Sequence, residues 1–287
     1  MKNIKKILKP LVEKFPIFSL TYRTLRDRKD LFLQPDMTSL GFRFKGNQAM
    51  ERGLFEPYET ELVKKVLPKI DVLVNIGANI GYYVCHALQA GKKVIAFEPM
   101  ELNIQYLLRN IKANEWQNDC EIMPIAVSNA VGIIEIYGGG TGASLVKGWA
   151  GIAESYKTLV PCSTVDCILG NRLDGKKVFV IVDIEGAEDM MLEGASNLLD
   201  MHPKPIWLVE ISGEEHQPQG IKINPNLLAT FEKFWSRGYE SITADNLLRK
   251  ITKEEVNHIL RTQVDTLGTH NFLFYETGEN LFQGNTL

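Results

Sequence analysis

The stretch Val72-Leu-Val-Asn-Ile-Gly-Ala-Asn-Ile-Gly-Tyr-Tyr83 constrains the fold more than any other. A short apolar run enters a turn holding Gly77 and Gly81 and leaves as a helix, Tyr82 to Gln89, which Gly91 ends. Glycine at such a turn lets the backbone take angles that a Cβ forbids and approach a ligand closely. A second apolar strand, Lys93 to Glu98, ends in a carboxylate about twenty residues past the turn, the separation at which an acid reaches ribose hydroxyls in open α/β sheets. The dinucleotide fingerprint would need glycine where Asn79 and Tyr82 stand, so a diphosphate cradle is disfavoured.

Strand and helix signals go on alternating after this point, the mark of a parallel sheet with helices on both faces. Glu101 to Asn114 reads as a helix whose Ile104, Leu107, Leu108 and Ile111 form one stripe facing the sheet. Glu121 to Ser128 reads as a third strand, and the alternation of Gly132 to Tyr137 as an added hairpin before the glycine-rich Gly138 to Gly142. Lys177 to Asp183 is a fully buried strand capped by an acid, and Ile206 to Ile211 is another, with Glu210 near its end. Asn226 to Arg237 follows as a helix, Tyr239 to Thr243 as a strand, and Asn271 to Tyr275 as the last strand. Thr252 with Glu255 has the spacing of a capping box, opening a helix that turns Val256 and Ile259 inward.

The chain divides into an N-terminal extension or cap, residues 1–57, and an α/β domain over residues 58–287. Ile4, Ile7, Leu8, Leu11, Val12 and Phe15 recur at helical spacing among lysines, predicting an amphipathic first helix. That helix caps the domain or touches an anionic membrane peripherally. Thirty-two Lys+Arg against thirty-five Asp+Glu leave a net charge of −3, which argues against a nucleic-acid-coating role. No apolar run approaches the ~20 residues of a membrane span. The four cysteines form no C-x-x-C pair, so neither a disulfide framework nor a zinc site is expected, and a reducing compartment, the cytoplasm, is.

Three motifs in order, Val-Asn-Ile-Gly-Ala-Asn-Ile-Gly, Phe97-Glu-Pro99 and Val182-Asp-Ile-Glu-Gly-Ala-Glu188, resemble the FkbM family of S-adenosylmethionine-dependent methyltransferases. The resemblance runs from about Tyr58 to Tyr275 and takes in Ala126-Val-Ser128, Ala143-Ser-Leu145, Leu208-Val-Glu210 and Asn271-Phe-Leu-Phe274. It implies a Rossmann-like class I methyltransferase fold, a seven-stranded, mostly parallel sheet with the last strand antiparallel. It also implies that Gly77, Asn79 and Gly81, with Ala78 in the same loop, line the methionine moiety of S-adenosyl-L-methionine. Glu98 would hold the ribose, and Ala126 with Val127 the adenine. Asn75 departs from the aspartate usual in the family and gives less attraction for the cofactor's ammonium group.

Asp183 and Glu185 emerge at the end of the buried fourth core strand, where a base would be needed to take the acceptor hydroxyl's proton as the sulfonium charge disappears. Asp183 would thus border both cofactor and acceptor. Glu210 ends a core strand at the same rim and is expected to orient acceptor hydroxyls. Converging carboxylates admit Mg²⁺ without requiring it, and no metal ligand is assigned. Ser144 in the glycine-rich loop and Glu188 are acceptor-side candidates, Glu188 having the alternative of capping the helix it begins. His86 is read as structural, His216 and His270 as loop side chains or alternative bases, and Trp149 and Tyr156 as apolar faces that stack on sugar rings or pin the loop. The expected activity is O-methylation of a hydroxyl on a carbohydrate or polyketide-like small-molecule or glycan acceptor. The alternatives are a nicotinamide-dependent oxidoreductase and a binding protein that has lost turnover.

Overall fold

The computed structural model describes residues 31, 33–279 and 281, so the amphipathic helix expected at the N-terminus lies outside the described residues. The described part of the extension holds a two-residue hairpin, β1 (Asp36–Met37) with β2 (Arg43–Phe44), and a short helix α1 (Gln48–Glu51). Phe42, Phe44 and Met50 bury against Ile80, Tyr82, Cys85 and Tyr106 of the domain. Helix α2 (Pro57–Val66) starts on a proline, whose fixed φ suits a first helical position.

The domain is then built from β3 (Val72–Ile76), α3 (Tyr82–Gln89), β4 (Lys93–Phe97), α4 (Glu101–Ala113) and β5 (Cys120–Met123). After three strands of a second sheet come α5 (Val165–Leu169), β9 (Val178–Val182), α6 (Glu188–Glu193), α7 (Ser196–Asp200) and β10 (Ile206–Glu210). Helix α8 (Leu227–Trp235), β11 (Tyr239–Thr243), α9 (Lys253–Thr262) and β12 (Asn271–Glu276) complete it. The main sheet has seven strands in the order β11-β12-β10-β9-β3-β4-β5. Strand β12 runs antiparallel to both neighbours, whereas β10, β9, β3, β4 and β5 are mutually parallel.

Every residue of β3 and β9 is buried, because helices cover both faces of the sheet. Successive side chains point to opposite sides. Val74, Ile76, Val180 and Val182 pack with α6, α8 and α9 on one face, while Leu73, Phe179 and Ile181 pack with α2, α3 and α4 on the other. Among the described residues no helix is long and apolar enough to cross a membrane.

Two expectations are corrected. The segment Glu121 to Ser128 is not one strand: pairing with β4 ends at Met123, and Pro124 brings no N–H to continue the ladder. The chain leaves the main sheet there, and Ala126–Val127 form β6 of a three-stranded sheet ordered β6-β8-β7, with β7 at Gly132–Tyr137 and β8 at Lys157–Ser163. The added strand β7 therefore pairs with a segment beyond the glycine-rich loop. Second, Leu108 of α4 is 51% exposed, and the buried face carries Asn103, Tyr106, Leu107, Asn110 and Ile111. The amides are there because that face binds main chain: Asn110 bonds Lys45 N and O and Ile80 O, and Asn114 bonds Arg43 N and O.

Candidate active site

At the carboxyl end of β3 the chain turns against its neighbours. The N–H groups of Gly77 and Ala78 both donate to Phe97 O of β4, and Asp183 N, just past β9, donates to Ile76 O. Gly77 has φ +82, and a Cβ there would lie 1.8 Å from Asp183 O, so only glycine admits this crossing. Asn79 takes the left-handed conformation, with φ 50. Gly81 caps α3 against Leu107.

Glu98, one residue past β4, is buried and turns back toward this loop. Its Oε2 accepts from Asn79 N at 2.8 Å, and its Oε1 from Met100 N at 2.9 Å and Asn103 Nδ2 at 3.1 Å. Burial pushes the carboxyl up to about 7 against the pull of these donors. Asn103 also donates to Gly140 O at 3.0 Å, tying the glycine-rich loop to the same carboxylate.

Between these groups opens a cleft at the ends of β3, β4 and β9. One end is apolar, lined by Phe97, Pro99, Ile125, Ala126, Val127 and Leu145. The polar lining is Asn79, Glu98, Asn103, Asp183 and Glu185, with no lysine, arginine or histidine among the described residues around it.

The other end is acidic. In the parallel pairing of β9 with β10, Val182 faces Val209, so Asp183 and Glu210 stand side by side, and their carboxyl groups are hydrogen-bonded. Burial and the nearby Glu210 and Glu185 hold Asp183 well above the usual carboxylate range, and burial with Glu185 raises Glu210 to about 8. Glu185 sits at φ 56, where its Oε2 accepts from Trp149 Nε1 at 2.8 Å and its carbonyl from Ser144 Oγ at 2.5 Å. Gly186 is needed beneath the indole: a Cβ would come within 2.4 Å of the Trp149 ring.

Of the residues singled out from sequence, Gly77, Asn79, Glu98, Ala126, Val127, Asp183 and Glu185 line the cleft. Asn75 does not; its side chain donates to Ile181 O at 3.5 Å. Ala78 and Gly81 also stand behind the lining, as do Ser144, which pins the loop, and Glu210, which touches Asp183. Glu188 folds back on its own turn, accepting from Gly186 N at 3.0 Å, and burial pushes it up to about 8. His86 is buried edge-on to Phe42 and Tyr82, His216 lies beside Trp149, and His270 faces Glu215. Among the described residues no group of three or more His, Cys, Asp or Glu could hold a metal ion. Asn103 was not anticipated; the only trace of it in sequence is the pair Asn103 and Asn110, seven residues apart on the face of α4 expected to be apolar.

A parallel sheet with an antiparallel last strand, carrying a cleft over the ends of its first two core strands, defines the class I methyltransferase fold. Residues 75–241, more than half of the chain, match the family described as the methyltransferase FkbM domain. The chain belongs to that family. No curated protein matches it. Similar solved structures include a methyltransferase FkbM from Methylobacillus flagellatus KT, with 15% identity and a TM-score of 0.45 over 88% of this chain and 59% of that one. A SAM-dependent methyltransferase from Agrobacterium tumefaciens has 11% identity and a TM-score of 0.41 over 82% of this chain and 66% of that one. An O-methyltransferase from Bacillus cereus, solved in complex with SAH, has 12% identity and a TM-score of 0.41 over 76% and 80%. The chain thus spans 59% of the length of the Methylobacillus protein.

Proposed function

We propose that this protein transfers a methyl group from S-adenosyl-L-methionine to a hydroxyl of a carbohydrate or polyketide-like acceptor. The observation that carries the cofactor is the lining of the cleft: three carboxyl groups, Glu98, Asp183 and Glu185, and no basic side chain among the described residues. Such a lining offers a diphosphate no cationic partner and gives a ligand bearing ammonium and sulfonium charges acids to pair with. The apolar end at Phe97, Ala126 and Val127 fits a planar base, and Glu98 is the acid that would take ribose hydroxyls. Gly77 and Asn79 would hold the amino-acid end. Asn75 is turned away from the cleft, so its replacement of the family's aspartate does not argue for lost turnover. The carbohydrate or polyketide-like acceptor class rests on the family resemblance.

When bound, the cofactor supplies an electrophilic methyl carbon. The chain's part is to place the acceptor oxygen in line and to take its proton. Asp183, which lines the cleft, is the group placed to take that proton once ionised, and burial beside Glu210 and Glu185 raises its proton affinity, which strengthens it as a base and makes transfer rise with pH as Asp183 ionises. Calorimetric titration with S-adenosylmethionine, S-adenosylhomocysteine and NAD tests the donor: heat from the first two alone is expected, and heat from NAD alone reverses the assignment. A mass-spectrometric screen of sugar and lipid-linked acceptors for the gain of one methyl group tests the acceptor.

A further inference from the structure

Glu56 lies outside the family-matched stretch, and no sequence motif points to it. It precedes Pro57 at φ 40 and ψ 66, in front of α2. Its Oε2 accepts the hydroxyl proton of Tyr83 at 2.5 Å, and Tyr83 belongs to the first turn of α3, directly after the glycine turn. One helical turn on, Glu59 Oε1 accepts from Asn271 Nδ2 at 3.2 Å, and Asn271 pairs opposite Glu210 in the sheet. Two tethers thus hold the start of α2 between the glycine turn and the carboxyl end of β10. From there the charge of Glu56 reaches both Asp183 and Glu210. No ion pair among the described residues involves Glu56, Asp183, Glu185 or Glu210, so nothing basic offsets it at close range.

We propose that Glu56, tethered by Tyr83, is a specificity-determining residue that makes the transfer site favour the positively charged sulfonium donor over its uncharged demethylated product. The inference rests on the reading of S-adenosylmethionine as donor. Donor and product differ by one methyl group and one unit of charge at the same sulfur. A fixed negative charge in a partly buried site attracts the first and is indifferent to the second, and it does so without contact because Coulomb attraction falls only as the inverse of distance. Burial pushes Glu56 up to about 7, against the lowering effect of the Tyr83 hydroxyl, so the carboxyl is mostly ionised at pH 8. The consequence is a site that loosens its hold on the product as the charge disappears.

The test is calorimetry at pH 8 on wild type, Glu56→Gln and Tyr83→Phe, each titrated with S-adenosylmethionine and with S-adenosylhomocysteine. In Glu56→Gln the ratio of donor to product affinity is expected to fall about three- to tenfold, with product affinity within twofold of wild type. Tyr83→Phe moves the ratio the same way by less, and it decides the matter if Glu56→Gln does not fold. A ratio that stays put, or a loss shared equally by both ligands, overturns the proposal by reducing Glu56 to a structural role. If wild type binds neither ligand, the donor reading fails and this inference with it. Binding of both with an unmoved ratio sinks only the inference.

Discussion

The two ends of the cleft use carboxyl groups in opposite ways. At the glycine-turn end Glu98 is ringed by donors, two main-chain N–H groups and the Asn103 amide, all at ordinary hydrogen-bond distance. At the β9–β10 end Asp183, Glu210, Glu185 and Glu56 have mainly one another for electrostatic company. The first arrangement fixes a charge in place and suits recognition of a ligand that must sit in one pose. The second crowds acids together with few donors, so Asp183 and Glu210 keep their protons to a higher pH than free carboxyls do. What separates the two ends is the supply of N–H groups, since the side chains are of the same kind.

The largest effect is expected where that contrast is sharpest. Asp183→Ala should cut methyl transfer by roughly 10²–10⁴-fold, the range for a lost general base, while S-adenosylhomocysteine binds within about threefold of wild type. Equal loss of transfer and binding would show that the acidic end also carries recognition. Gly77→Ala, at the crossing of the two ends, should destabilise the fold by roughly 3 kcal/mol or more and abolish product binding, because the Cβ has nowhere to go beside Asp183 O and the φ is left-handed. Thermal melting and calorimetry check it; a variant with wild-type melting would mean that the crossing relaxes freely. Glu98→Gln should weaken both cofactor forms about tenfold, ~1.4 kcal/mol, with no change in their ratio. A selective loss of the charged donor would move Glu98 into the electrostatic group.

Stability against pH reads both ends at once. Burial raises Glu98 to about 7 and Glu188 to about 8, with Asp183 and Glu210 raised as well, so the folded chain binds more protons than the unfolded one above pH 4.5. By linkage stability then falls as pH rises, until the folded-state values are passed. His86, which burial pushes down to about 4, works the other way, but only while the unfolded imidazole still holds its half proton at pH 6.5, an opposing effect spent by about pH 7.5. Melting temperature is therefore expected to fall between pH 6.5 and 8, each raised carboxyl contributing up to about 1.4 kcal/mol per pH unit. Glu188→Gln should flatten part of that decline. A melting temperature that rises across this window would contradict the burial of these acids.

Much of the main sheet was legible because its signals are local. The apolar runs of β3, β4, β9 and β10, and the acids Glu98, Asp183 and Glu210 at or just past their ends, are written in consecutive residues. The missed features are set by partners far along the chain. Asn103 earns a buried place by reaching Gly140, and Asn110 by reaching Lys45. Strand β8 was not anticipated, since Leu159 is 68% exposed and Pro161 interrupts its pattern; it forms because β6 and β7 both pair with it. Glu56 had no periodicity around it, and its position depends on Tyr83, in a different element.

The smallest effect is expected at the loop that bridges the two ends. It is held to the recognition end through Gly140 and Asn103 and to the acidic end through Trp149 Nε1 on Glu185. Trp149→Phe keeps most of the aromatic contact with Gly186 and removes one donor, so Glu185 keeps its place in the turn but loses its hydrogen bond. Stability should drop by about 1 kcal/mol, product affinity should stay within twofold, and transfer should slow by roughly three- to tenfold. Combined with Glu185→Ala, the loss of transfer should be less than the sum of the two single losses, because both changes break the same bond. Simple additivity in that cycle would mean that the indole supports the loop without orienting Glu185, and the acidic end would then owe its geometry to the sheet alone.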